Sequence, residues 1–252
     1  MTDLKGKTVL VTGGSRGIGA AIVRAVASAG ATVLLHYAKS REAAEAIRTE
    51  VGPSFCHLLS GDLAEPNAAS ALWRDAETVA SRIDVVVNNA GIFLPAPIAA
   101  PMADWQRAFA QVMQVNLTAP AELCKLAVAH FRKNGGGKII NIASRAAHRG
   151  DAPDQWPYAA SKGALVALTK TIARGYAAEN ILAFAVAPGF TETDMAYVGM
   201  TEADIRRIVS EIPLGSMASA EEVGALVAFL CGDAVRHMTG ATFDINGASY
   251  VR

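Results

Sequence analysis

Short runs of β-branched and aliphatic residues recur along this 252-residue chain, and each is followed by a longer stretch of helical periodicity. Residues 7–11 (KTVLV) read as a strand, and 17–29 as a helix with Ile18, Ile22, Val23 and Val26 on one face. The pattern repeats with strands at 32–36, 55–59, 84–88, 138–142, 182–186 and 241–245. Helices are expected at 40–50 (Ser40 as N-cap), 66–81, 103–131, 158–178 and 220–231. The strand runs are continuously apolar instead of alternating. Only a sheet covered on both faces demands that, and such sheets are parallel. Helices between parallel strands impose right-handed crossovers. The expected fold is α/β: a doubly wound parallel sheet of about seven strands. It is read as one domain over residues 1–252, with an insertion near 190–212 between the sixth strand and the last helix.

Composition narrows the function. Hydrophobic residues make up 52%, ample for one large core. Lys plus Arg and Asp plus Glu are 23 each, with no block of like charge, which excludes the basic footprint of a nucleic-acid binder. No apolar h-region follows the first residues, so no signal peptide is expected. Runs such as 181–188 fall far short of the roughly 20 residues of a membrane span. Cys56, Cys124 and Cys231 are odd in number and lack CxxC spacing. They read as buried free thiols of a cytoplasmic protein. No His/Cys/carboxylate cluster has metal-ligand spacing, so no metal is expected.

The first strand runs straight into Thr12-Gly13-Gly14-Ser15-Arg16-Gly17-Ile18-Gly19. Gly13 permits a tight turn, Gly17 lets backbone approach a pyrophosphate, and Gly19 allows close helix–strand packing. The exposed N–H groups and the helix dipole then suit phosphates. Further on, Tyr158 and Lys162 lie four residues apart on an expected helix and share a face. A tyrosine ordinarily titrates near 10. A neighbouring ammonium favours its phenolate, so such a pair can move a proton near neutral pH. Ser144 stands at the carboxyl end of the fifth strand, where open α/β sheets place ligands. Its hydroxyl suits a developing alkoxide.

The glycine spacing is G-x-x-x-G-x-G, not the G-x-G-x-x-G fingerprint. With Asn88-Asn89-Ala90-Gly91 after the fourth strand, Asn116 within Val115-Asn116-Leu117, Ser144, Tyr158-Ala159-Ala160-Ser161-Lys162, and Pro188-Gly189 followed by Thr191, Thr193 and Asp194, the chain resembles the short-chain dehydrogenase/reductase family. The resemblance runs through nearly the whole chain. It implies a Rossmann-type fold and catalytic roles for Asn116, Ser144, Tyr158 and Lys162. It also implies a cofactor site built from Gly13, Ser15, Arg16, Gly17, Ile18, Gly19, Tyr37, Lys39, Ser40, Asp62, Leu63, Asn89, Ala90, Gly91, Tyr158, Lys162, Pro188, Gly189 and Thr191. Asp62 and the Leu63 N–H would meet the adenine, and Asn116 would hold a water linking Lys162 to solvent. One departure stands out. Ser144 and Tyr158 are 14 positions apart, where many family members have 13.

Preference for NAD rests on an acid at the end of the second strand. Here that strand runs into His36-Tyr37-Ala38-Lys39-Ser40-Arg41, without a carboxylate. Arg16, Lys39 and Ser40 suit a 2′-phosphate instead, so NADP(H) is the expected cofactor. The expected reaction is hydride transfer between nicotinamide and a carbonyl or secondary alcohol, with Tyr158 as general acid or base. The wording KIINIAS and YAASK is similar to 3-oxoacyl-[acyl-carrier-protein] reductases. Arg145, His148, Arg149 and Trp156 are unusual for that subgroup and leave a sugar, polyol or small-ketone reductase open. A non-catalytic dinucleotide sensor would be expected to lose Tyr158 or Lys162. Met195, Tyr197, Val198 and Met200 suit an apolar lid. The resemblance implies a homotetramer or homodimer. The small-residue face Ala159, Gly163, Ala164 and Ala167 suits helix pairing, between subunits or within one. The C-terminal Asp244-Ile245-Asn246-Gly247 departs from the commoner VDGG, leaving open what Ser249, Tyr250 and Arg252 reach.

Overall fold

The apolar runs lie side by side in a computed structural model that describes residues 2–193 and 201–252. The strands are β1 (Thr8–Val11), β2 (Thr32–Tyr37), β3 (Cys56–Ser60), β4 (Val85–Asn88), β5 (Gly137–Ile142), β6 (Ile181–Pro188) and β7 (Thr242–Ile245). They form one sheet in the order β3-β2-β1-β4-β5-β6-β7. Every pairing is parallel, with Val9 opposite both Val33 and Val85.

Successive side chains of a strand point to opposite faces, and here both faces are covered. Val9, Val11, Val33, Leu35, Val85 and Val87 meet one helical layer. It contains α1 (Gly17–Ser28), α2 (Arg41–Val51) and α9 (Ala220–Cys231). Leu10, Leu34, Val86 and Ile139 meet the other. There lie α3 (Ala68–Val79), α5 (Ala119–Lys133) and α7 (Trp156–Tyr176). This is why the strands show no polar alternation. Each fully buried Leu, Ile or Val contributes about 1.5–3 kcal/mol. A Cβ on Gly224 would stand 2.7 Å from the Ala21 carbonyl oxygen, so α9 can lie against α1 only with glycine there.

Most elements end within one or two residues of expectation, the usual fraying. Four differences stand out. The expected helix over 103–131 is two helices, α4 (Met102–Met113) and α5, joined by a π-helical turn at Gln114–Thr118. Such a turn carries an extra residue, and this one holds Asn116. Helix α3 begins at Ala68 and not at Pro66, because Asn67 takes a left-handed φ of 62°. Ser40 does occupy the N-cap of α2, but its hydroxyl makes no capping bond. The segment between Ser144 and Tyr158 folds into a short helix α6 (Ala146–Arg149) and turns at Gly150, φ 78°.

In the insertion, α8 (Glu202–Ser210) starts with a Thr201–Asp204 capping box. Its Ile205, Ile208 and Val209 pack with Phe190, Ile212 and Met217. Asp194, Met195, Tyr197, Val198 and Met200 lie outside the described residues. Among the described residues no helix is long and apolar enough to cross a membrane.

Candidate active site

Chain order reverses between β1 and β4. The segments leaving their carboxyl ends therefore diverge and open a crevice. The glycine turn fills one side. Gly13 and Gly17 take left-handed φ values of 65° and 51°. A Cβ at Gly19 would overlap the Gly13 carbonyl oxygen and stand 2.6 Å from Asn89 Nδ2. Helix α1 starts with no side-chain cap and no acid in its first turn. Its first N–H groups thus keep their hydrogen-bonding capacity for an anion. A cradle with these glycines fits a dinucleotide pyrophosphate.

The Asn88-Asn89-Ala90-Gly91 segment is tied to this turn. Asn89 Nδ2 donates to the carbonyls of Thr12 (2.9 Å) and Gly13 (3.1 Å). Thr12 Oγ1 accepts the N–H groups of Asn89 and Ala90, both at 3.0 Å. Thr12 is a positioning residue that the motif contained and the site reading passed over.

After β3, Asp62 Oδ1 accepts from the Ala64 N–H at 3.0 Å, and Leu63 is buried. Lys39 is exposed, with its ammonium 3.9 Å from Asp62. Arg16 is exposed at the N-cap of α1, and Ser15 and Ile18 are half-buried beside it. Arg41 sits 3.9 Å from Glu45 on its own helix. Tyr37 is 8% exposed and packs into the core cluster. At the far side, Gly189 donates to the Ile245 carbonyl (2.8 Å) and lies against Asn246. Pro188 ends β6, and Thr191 is buried with its hydroxyl donating to the Gly189 carbonyl (3.3 Å).

The expected catalytic residues converge beyond Gly91. A Cβ there would lie 3.4 Å from Asn116 Oδ1 and 3.5 Å from Lys162 Nζ. Asn116 is fully buried. Its amide accepts the Ile92 N–H (2.8 Å) and donates to the Ile92 carbonyl (2.9 Å), clamping the segment after β4. The widened π-turn presents Asn116 to it. Lys162 Nζ donates to the Ile142 carbonyl at 2.8 Å and lies 5.7 Å from the centre of the Tyr158 ring. Phe93 packs edge-on to Tyr158 at 5.1 Å. A buried polar chain fixes α7 to the sheet. Asn88 Nδ2 donates to Asn141 Oδ1, and Asn141 Nδ2 to Thr169 Oγ1, each at 2.8 Å.

Burial sets the charges. It pushes the Tyr158 phenol up to about 12, only partly opposed by a hydrogen bond with Ser144. It pushes the Lys162 ammonium down to about 8. The expectation that Tyr158 titrates below its ordinary value is therefore not met. Desolvation of the phenolate outweighs an ammonium that is itself desolvated. Ser144 is half-buried; its Oγ accepts the Ala146 N–H at 3.1 Å, and its hydroxyl lies in hydrogen-bonding reach of the Tyr158 oxygen.

Two features of the wall escaped the sequence reading. Arg145 is buried, donates from Nη1 to Ser249 Oγ (2.6 Å), and stacks 4.7 Å from the centre of Phe190. His148 stacks on Tyr250, 6.1 Å apart and nearly coplanar. The C-terminal segment thus packs on α6 of its own chain. Arg252 turns back to Asp244 (2.9 Å).

A family model described as enoyl-(acyl carrier protein) reductase matches residues 13–248. Among curated relatives, a 3-oxoacyl-[acyl-carrier-protein] reductase of Aquifex aeolicus is 34% identical over 251 residues, covering 98% of each chain. One of Synechocystis sp. is 36% identical over 252 residues, again 98% of each. Nodulation protein G of Rhizobium meliloti is 36% identical over 250 residues with the same coverage.

Proposed function

Because the chain belongs to the short-chain dehydrogenase/reductase family, and is an oxidoreductase acting on the CH–OH/C=O couple, we propose that it is an NADP(H)-dependent carbonyl reductase whose proton comes from Tyr158. One observation carries the reading. Ser144, Tyr158, Lys162 and Asn116 meet at the crevice whose other side is the glycine cradle.

A bound nicotinamide supplies the hydride. Ser144 donates a hydrogen bond to the carbonyl oxygen and holds the substrate in place. Tyr158 keeps its proton at neutral pH, since burial holds it up to about 12. It is therefore poised as an acid toward the oxygen as negative charge develops there. Lys162 keeps most of its positive charge beside it at neutral pH and, through its bond to the Ile142 carbonyl, a fixed position. Asn116 fixes the segment after β4 that walls the site.

The substrate class that the relatives favour is a 3-oxoacyl thioester on acyl carrier protein. A small polar carbonyl compound is the second reading, favoured by the buried guanidinium of Arg145 beside Ser144. Consumption of NADPH at 340 nm with acetoacetyl thioesters, against a panel of sugars and small ketones, separates the two. Tyr158→Phe should abolish turnover while leaving NADPH binding intact; substantial residual turnover would overturn the role of Tyr158.

A further inference from the structure

One buried titratable side chain in the nucleotide half of the crevice has no part in the chemistry above. His36 ends the apolar run of β2 and is 1% exposed. Its ring touches two backbone groups on different segments. Nδ1 accepts the N–H of Gly13 at 3.2 Å, and Nε2 lies 2.8 Å from the carbonyl oxygen of Gly61. The two partners decide the tautomer. A backbone N–H can only donate and a carbonyl can only accept, so Nδ1 is bare and Nε2 carries the hydrogen. The His36 carbonyl meanwhile accepts the Gly14 N–H at 2.8 Å. Gly13 opens the phosphate turn, and Gly61 immediately precedes Asp62 and Leu63 at the adenosine side.

We propose that His36 is a positioning residue which, as the neutral Nε2–H tautomer, locks the phosphate turn to the adenosine loop and so makes cofactor binding depend on its protonation. This rests on the reading of the crevice as an NADP(H) site. Protonation would place an N–H on Nδ1 directly against the Gly13 N–H. The clamp would then push the turn away instead of holding it. Burial lowers the basicity of His36, which keeps it neutral at pH 7. The elements around the ring are the glycine turn, the end of β3 and the 61–62 loop. Their charged groups are Asp62, which favours the imidazolium, Lys39, 3.9 Å from Asp62, and the exposed Arg16. The sign follows: a group whose folded pKa is depressed gives up its contribution as pH falls through that value. Cofactor affinity supported by His36 is therefore full at neutral pH and lost toward acid.

The test measures the Kd of NADPH by fluorescence between pH 8 and 5 for wild type, His36→Gln and His36→Asn. The 2′-phosphate itself titrates near pH 6 and weakens binding in all three. The readout is the difference between wild type and the amides, whose carbonyl accepts from Gly13 without titrating. At pH 8 at least one amide should bind within a few-fold of wild type. At pH 5 wild type should have lost about tenfold more affinity than that amide, the worth of one hydrogen bond turned repulsive. A second readout needs no variant. Nitrogen NMR of His36 in the wild-type protein should show the Nε2–H tautomer at pH 7, and its titration midpoint should move down when NADPH is added. Equal pH dependence in wild type and a folded amide variant, or a midpoint indifferent to NADPH, overturns the proposal alone. Absence of NADPH binding at every pH overturns it together with the cofactor reading.

Discussion

The Lys162 ammonium donates a hydrogen bond to the carbonyl of Ile142 at 2.8 Å in a position only 4% exposed. A charge held there by one carbonyl is poorly compensated, which is why its proton is weakened to about 8. Two consequences follow. First, kcat/KM for carbonyl reduction should be level through neutral pH and fall above about 8, as Lys162 becomes neutral. Tyr158 still holds its proton there, since its own value is near 12. A pH profile of kcat/KM, which reports the free enzyme, checks this. A fall below pH 7 with a plateau above 9 would contradict it. Second, the depressed value means that the unfolded chain binds this proton more tightly. Lys162 therefore costs stability at pH 7, on the order of 3 kcal/mol at about 1.4 kcal/mol per unit. The deficit should shrink as pH rises from about 8 toward 10.5. Lys162→Met should remove turnover and remove this pH dependence of the melting temperature.

The cofactor preference is testable at the end of β2. Ala38 is exposed there, between the buried Tyr37 and the exposed Lys39. Ala38→Asp would place a carboxylate where a ribose 2′-hydroxyl can bond it and a 2′-phosphate is repelled. The ratio of kcat/KM for NADPH over NADH should fall by about tenfold to a hundredfold, the worth of one charge-assisted bond. Arg16→Ala should move the ratio the same way. Arg41→Ala should not, because Arg41 faces Glu45 on its own helix. A ratio unchanged by the first two substitutions would remove the basis for an NADP(H) preference.

What the sequence disclosed and what it hid divide by range. The glycine turn, Asn88 to Gly91 and the Tyr158–Lys162 pair are local patterns, and local backbone geometry places them where their spacing says. The strands were legible because β-branched runs and turn residues act over a few positions. The π-turn was not, since it is held by Asn116 reaching 24 residues back to Ile92. The direction of the Tyr158 shift was hidden too. Proximity to Lys162 is a sequence property, whereas the desolvation that outweighs it is made by the whole fold. His36 looked like one more strand residue, because nothing nearby in sequence reveals that Gly61 is its partner.

The glycine cradle makes a paired prediction. At Gly19 an added Cβ meets the Gly13 carbonyl, backbone that cannot move aside. Gly19→Ala should destabilise by about 1–3 kcal/mol or more and weaken NADPH binding. Gly175, also helical in α7, has nothing within 4 Å of such a Cβ and no positive φ. Gly175→Ala should instead stabilise by about 0.5–1 kcal/mol. Thermal melts of both variants read the sign directly. Similar effects at the two positions would mean that the turn is less tightly packed than the contacts require.

The wall formed by the C-terminal segment is the part of the site that chain order least suggests. Arg145 and Ser249 are 104 positions apart, yet the guanidinium gives Ser249 a 2.6 Å hydrogen bond while stacked on Phe190. Burial makes that charge costly, and the bond and the stack offset part of the cost. Removing residues 249–252 would take away the Ser249 acceptor, the Tyr250 ring over His148 and the Arg252–Asp244 pair together. The glycine cradle and His36 lie on other segments and keep all their partners. Truncation after Ala248 should therefore raise KM for the carbonyl substrate by about tenfold, the equivalent of 1.4 kcal/mol. The Kd for NADPH should stay within about twofold of the full chain. Ser249→Ala should shift KM in the same direction by less, since Arg145 keeps Phe190. If truncation leaves KM alone and weakens NADPH instead, the C-terminal segment supports the nucleotide half of the crevice and not the substrate half.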